Sequence, residues 1–235
     1  MPHLLIDDLR IEVVRKNIRS LRLTVYAPDG RVRVAAPLRT ADTTIHAFVT
    51  TRRAWIRKHQ EQFAAREQPV ALEYVTGETH FYQGRTYQLR VHEAMGPAKV
   101  LLQEEGFLDL FAPANSQPKQ REKVLHAWYR ARLKEQLPAL AARWEPVVGA
   151  RANEWGIKLM RTRWGTCSIR ARRIWLNLEL IKQPVHCLEY VVVHELVHLH
   201  ERLHNARFWG LMDQFMPDWR EAKQALRSVH LKPCG

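Results

Sequence analysis

Apolar and polar positions alternate through much of the first ~110 residues, a period that predicts strands. In "LRLTVYAPDGRVRVAAP" Leu21, Leu23 and Val25 alternate with Arg22 and Thr24, Asp29-Gly30 supplies a turn, and Val32 and Val34 alternate with Arg31 and Arg33. That stretch predicts a hairpin with one apolar and one basic face. From Thr43 to Arg66 the spacing turns helical, with Ile45, Phe48, Val49, Trp55, Ile56 and Phe63 in register, before "HFYQGRTYQLRVHE" and "KVLLQEEGFLDLFAP" return to alternation.

The prolines, Asn and Ser of "APANSQPKQ" mark a connector at residues 112–120. Beyond it, "REKVLHAWYRARLKEQLPALAARWEPVVG" reads as helix, broken or kinked into two at Pro138. "IKLMRTRWGTCSIRARRIWLNLEL" reads as two strands around a turn. "QPVHCLEYVVVHELVHLHE" reads as a helix with Pro184 in its first turn, and two amphipathic helices follow on either side of Pro217. No internal repeat is legible. The expected class is α+β: a β-rich N-terminal module over residues 1–112, then a helical domain over 118–235 that holds a small antiparallel sheet.

The chain of 235 residues is 46% hydrophobic, ample for real cores, and it shows neither a signal-peptide pattern nor a run of ~20 apolar residues. A soluble, cytoplasmic protein without membrane contact is expected. Cys167, Cys187 and Cys234 are odd in number, far apart and outside any C-x-x-C pair, which argues against a disulfide framework or a cysteine-built zinc ribbon. The 37 Lys and Arg outnumber the 24 Asp and Glu, for a net charge of +13 and an isoelectric point near 10.1. Such a surplus admits nucleic acid as a partner through a basic surface, equally well as a basic surface without a specific partner.

The densest chemistry is "VVVHELVHLHERLH" at residues 191–204. Its valines and leucines ask for burial, and buried imidazoles and carboxylates need compensation, which a metal ion supplies. His194, Glu195 and His198 spell H-E-x-x-H. Two histidines four apart share a helix face and can grip one Zn2+, while Glu195 points aside and is suited to act as general base on a water. A hydrolytic site takes three protein ligands and keeps one position open, and His204, separated from His198 by five residues, is the expected third. The glycine that turns the chain in H-E-x-x-H-x-x-G-x-x-H proteases is Glu201 here, so the helix is expected to end near Glu201 or Arg202 and the next to begin around His204-Asn205. His200 falls on the far side of the helix, and a capping or core role suits His186 better than ligation. Cys167 reads as a small buried thiol, Tyr190 as packing, and Phe208 and Trp209 as support beneath the third ligand.

Several pieces in order carry a family resemblance. They are an R-x-G-[ST]-C-S turn (Arg163, Gly165, Thr166, Cys167, Ser168), an N-x-x-L strand (Asn177, Leu180), the helix "YVVVHELVHL", and H-N-x-x-F-W (His204, Asn205, Phe208, Trp209). Together they resemble the signature of the YgjP-like metallopeptidases, a group of SprT/WLM-related, minigluzincin-type zincins, and a looser likeness covers nearly the entire chain. The resemblance implies a zincin-type catalytic domain with zinc on His194, His198 and His204, a base at Glu195, and a protein or peptide substrate. SprT and WLM relatives act on proteins attached to DNA. The strand "RIWLNLEL" is a candidate edge for an extended substrate, with Arg163 and "WGTCS" either bordering the cleft or only fixing the hairpin. Two alternatives stay open: a zinc hydrolase acting on a non-peptide substrate, and a nucleic-acid-binding protein with a structural or vestigial zinc site. In the latter, Arg22, Arg31, Arg33 and the "RTRWG" and "RARR" arginines interleave with Trp164 and Trp175.

Overall fold

A computed structural model describes residues 3–26, 29–64 and 72–228, and the chain divides into two compact units, Met1–Val70 and Ala71–Gly235. In the first unit, strands β1 (His3–Ile6), β2 (Leu9–Lys16), β3 (Arg22–Tyr26) and β4 (Arg31–Pro37) precede helices α1 (Asp42–Thr50) and α2 (Arg53–Ala64). The expected hairpin is β3–β4, with Leu23 opposite Val34 and Gly30 left-handed in the turn. Alternation sends Ile11, Val13, Val32 and Val34 to one face, where Ile45, Val49 and Ile56 cover them. One helix was expected over residues 43–66, and two form. The hydroxyls of Thr50 and Thr51 donate to the carbonyls of His46 and Phe48, a competing use of the backbone at the point where α1 ends. The expected continuation past Ala64 to Arg66 lies outside the described residues.

The second unit holds β5 (Thr79–Tyr82), β6 (Arg85–Glu93), β7 (Lys99–Gln103), β8 (Phe107–Ala112) and the long helix α3 (Pro118–Val148). Strands β9 (Glu154–Lys158), β10 (Gly165–Ser168) and β11 (Arg173–Asn177) follow, then a 3-10 helix at Leu178–Lys182 and helices α4 (Val185–Val197), α5 (Ala206–Phe215) and α6 (Trp219–Ser228). The division therefore falls at 70/71 and not in the connector at 112–120, for a physical reason. The β5–β8 sheet buries Leu89, Leu108 and Leu110 in the same core as Leu125, Tyr129 and Leu133 of α3, its cover.

Nor does Pro138 break α3. The buried series Leu125, Tyr129, Leu133, Leu137, Leu140, Trp144 and Val148 runs through it, and packing on both sides outweighs the ~3 kcal/mol a helix-interior proline costs.

A repeat that the sequence hides is visible in the topology. The first sheet has the order β1-β2-β4-β3 and the second β5-β6-β8-β7, each two antiparallel hairpins joined by a parallel inner pair. Both inner pairs carry one charged couple in register, with the sign reversed. Glu12 faces Arg33 (2.9 Å) and Arg90 faces Asp109 (2.6 Å).

The third sheet, ordered β10-β11-β9, pairs β10 and β11 antiparallel, as the strand pair foretold, and adds β9 parallel to β11. Thus β11 is the middle strand, and the edge beside α4 is β10. The reading that made "RIWLNLEL" an edge is corrected, because β9 occupies its other side.

Candidate active site

Helix α4 carries a run of valines that disfavour helix in isolation, and it is stabilised instead by burial: Val191, Val192, Val193, Leu196 and Val197 are all enclosed. This burial presents His194 and His198 one turn apart, their ring centroids 4.9 Å from each other. The helix ends at Val197, a turn sooner than Glu201 or Arg202. Glu201 explains how the chain turns without glycine. Its carbonyl accepts from His198 Nδ1 (3.0 Å) and its carboxylate from the Leu203 N–H (3.0 Å), and no described residue between 198 and 205 needs a left-handed backbone. Asn205 then caps α5, its Oδ1 accepting from the Phe208 N–H (3.0 Å), which brings His204 back to the first two histidines.

The ligand atoms of His194, His198 and His204 all lie within 4.8 Å of one another, and the Nε2 atoms of His194 and His204 are 3.0 Å apart. Phe208 is the floor, with its ring centroid 4.7–4.9 Å from all three imidazoles. Trp209 stacks on His204 at 5.5 Å and its indole N–H donates to the His204 carbonyl. Because His198 donates from Nδ1 to Glu201, its Nε2 is left as the lone-pair nitrogen, while the Tyr190 hydroxyl, 3.4 Å from His194 Nδ1, holds the orientation of that ring.

Glu195 lies on the same turn, 4% exposed, with Oε2 lacking a hydrogen-bond partner. Burial pushes its carboxyl up to about 8, opposed by the charge of Arg163. Burial also pushes His194 down to about 3, with His198 and His204 adding to the effect, and lowers both of those in turn. Without a cation the site holds neutral imidazoles and a neutral acid.

A family model described as "YgjP-like, metallopeptidase domain" matches residues 19–229. The chain belongs to this YgjP-like family. Among solved structures, the crystal structure of the metallopeptidase zymogen of Pyrococcus abyssi abylysin is similar at 18% identity and a TM-score of 0.36, covering 39% of this chain and 91% of that one. Comparison with curated proteins gives no match. Membership of the YgjP-like metallopeptidases implies a divalent metal and a hydrolase acting on proteins or peptides, and the donor set fits such an ion: three neutral imidazoles converge, and the carboxyl of the residue next to His194 is buried with its Oε2 unpartnered.

The other sequence candidates fall into place around this YgjP-like centre. His200 is exposed and donates to the Val148 carbonyl at the end of α3 (2.9 Å), away from the cluster, while His186 is exposed on the first turn of α4 and so is not a core residue. Cys167 is half-buried and pushed up to about 11 by burial and by Glu195, so it stays a thiol; Cys187 is fully buried, and Cys234 lies outside the described residues. Arg22, Arg31 and Arg33 belong to the first unit and Trp164 and Trp175 to the second, and Arg33 is committed to Glu12 and to the Tyr26 hydroxyl.

Two site residues escaped the sequence reading. Gly165 presses its Cα against the acid, so that a Cβ there would lie 2.6 Å from Glu195 Oε1. Asn177, fully buried, donates from Nδ2 to the carbonyls of Met160 (2.9 Å) and Arg163 (2.8 Å) and accepts at Oδ1 from the N–H groups of Met160 and Glu179. Both stand inside the recognised motifs, but only the fold tells what they touch.

Proposed function

We propose that this protein is a zinc-dependent peptidase in which His194, His198 and His204 hold the ion and Glu195 is the general base. The observation that carries the reading is the convergence of three imidazole ligand atoms, together with the unpartnered Oε2 of the buried glutamate that follows the first histidine. An all-imidazole set with one position left for water suits zinc, which when bound supplies a Lewis acid that eases loss of a proton from water and polarises a carbonyl. Glu195 takes the proton of the attacking water and delivers it to the leaving amine. Glu201 and Tyr190 keep the imidazoles turned inward, and Phe208 and the α4 core exclude water from behind. Among the described residues no helix is long and apolar enough to cross a membrane. The free thiols Cys167 and Cys187 suit the reducing cytoplasm, where we place it.

The test is metal content by elemental analysis together with casein cleavage, with and without single-stranded DNA, for wild type, His204→Ala and Glu195→Gln. Expected are one zinc per chain, weakened by His204→Ala beyond the ~10–100-fold that loss of an outer-shell partner costs, and Glu195→Gln loaded but inactive. Stimulation by DNA assigns the positive charge to a nucleic-acid partner. Wild type without zinc, or an active Glu195→Gln, overturns the reading.

A further inference from the structure

A peptidase needs a donor for the carbonyl oxygen that becomes negative as the bond is attacked, and neither Tyr190 nor His200 serves. Tyr190 is buried with its hydroxyl at His194 Nδ1, and His200 is spent on Val148. Arg163 is different. It is exposed, and among the described residues no hydrogen bond or ion pair holds its guanidinium, while its carbonyl is held by a buried side chain. The buried Asn177 side chain holds the Arg163 carbonyl at 2.8 Å and the Asn177 N–H holds that of Trp164 at 2.8 Å. The next residue is Gly165, packed on the Glu195 carboxyl from the free edge of β10. A backbone pinned at two carbonyls thus places an unpaired cation two residues before the glycine that touches the base, near enough for its charge to be felt by Glu195. Fixed main chain with a free, charged head is the arrangement expected of a group waiting for substrate.

Resting on the peptidase reading, we propose that the Arg163 guanidinium is a catalytic residue that donates N–H to the carbonyl oxygen of the scissile peptide as that oxygen becomes an anion, with Asn177 as the positioning residue that aims it. In the step, the water oxygen bonds to the carbonyl carbon while its proton passes to Glu195, and the C=O π pair becomes a lone pair on the oxygen facing Arg163. Return of that pair breaks the C–N bond, and the amine leaves with the proton from Glu195.

The test compares zinc-loaded wild type, Arg163→Ala, Arg163→Lys and Asn177→Ala by kcat and KM on a quenched fluorescent peptide that wild type cleaves. In parallel, calorimetry measures binding of a phosphinic peptide, whose tetrahedral anion imitates the attacked carbonyl, and of its planar peptide counterpart. Arg163→Ala is expected to lose ~10²–10³ in kcat with KM little changed. The same factor is expected in phosphinate affinity with none in planar-peptide affinity, partial recovery with Lys, and partial rescue by added guanidinium ion. Asn177→Ala is expected to lower kcat at unchanged KM and zinc content. An unchanged kcat in Arg163→Ala, or equal losses for phosphinate and planar peptide, overturns the proposal. A zinc-loaded wild type that neither cleaves peptides nor binds the phosphinate overturns the peptidase reading itself, a failure visible before any substitution is made.

Discussion

Replacing Gly165 with alanine tests whether the notch in β10 sets the position of the base. A Cβ at this site would stand 2.6 Å from Glu195 Oε1, 2.7 Å from its Cγ and 2.9 Å from its Cδ, whereas ordinary contact begins at 3.4 Å. The carboxyl must therefore withdraw by about 0.8 Å, and displacements of ~1 Å in a reacting group cost on the order of 10²-fold in rate. Crowding costs ~1–3 kcal/mol, and alanine returns ~0.5–1 kcal/mol by stiffening the unfolded chain, so the net loss is at most about 2.5 kcal/mol and the protein still folds. The left-handed backbone that penalises side chains is not at issue, since Gly165 lacks a positive φ. The assay is kcat on a cleaved peptide alongside zinc content and a thermal melt. Expected is a ~10²-fold fall in kcat, full zinc and a melting point lower by a few degrees. Activity within about threefold of wild type refutes the reasoning, because RT ln 3 is too little for a displaced base. Activity lost together with zinc refutes it as well, since the metal site would then be what moved.

Asn205→Ala removes the cap of α5 and should cost ~1 kcal/mol in urea denaturation; because that cap sets the entry of His204, zinc affinity measured by chelator competition should fall too, and an unchanged affinity would free His204 from the cap. In the metal-free protein, His194 is lowered to about 3, so unfolded chains bind its proton first and stability falls as pH drops from about 6.5 towards 3. Glu195 is raised to about 8, so its contribution is complete below about 4.5 and is lost as pH rises through 8. Denaturation across this range should show both limbs, each with a slope of up to ~1.4 kcal/mol per pH unit, and Glu195→Gln should abolish the alkaline limb alone. Retention of that limb would place its origin elsewhere.

What the sequence made legible follows from short-range physics. The first two histidines and the β3–β4 hairpin rest on spacings of four and two, and the structure brings the three histidines together and pairs the two strands. Pro138 was misleading because a local penalty was read without the buried stripe that outweighs it. The unit boundary was missed because a sheet's cover can come from either direction along the chain, and composition does not say that α3 packs on β7 and β8. Gly165 and Asn177 were quoted as parts of motifs, but their meaning lies in contacts with residues 30 and 17 positions away, Glu195 and Met160, which no periodicity encodes.

The two like-ordered sheets present a newly made chain with a choice between nearly equivalent partners. Were β2 to anneal with β8, Glu12 would meet Asp109, and were β6 to anneal with β4, Arg90 would meet Arg33, each a like-charge encounter close to the sheet centre. In the native arrangement Asp109 is instead held down to about 2: burial alone would raise it, but Arg90, His92 and Gln103 all hydrogen-bond to it and outweigh that cost. The reversed couples would thus set like charges against any cross-sheet pairing in this register, a repulsion that couples of the same sense would not supply.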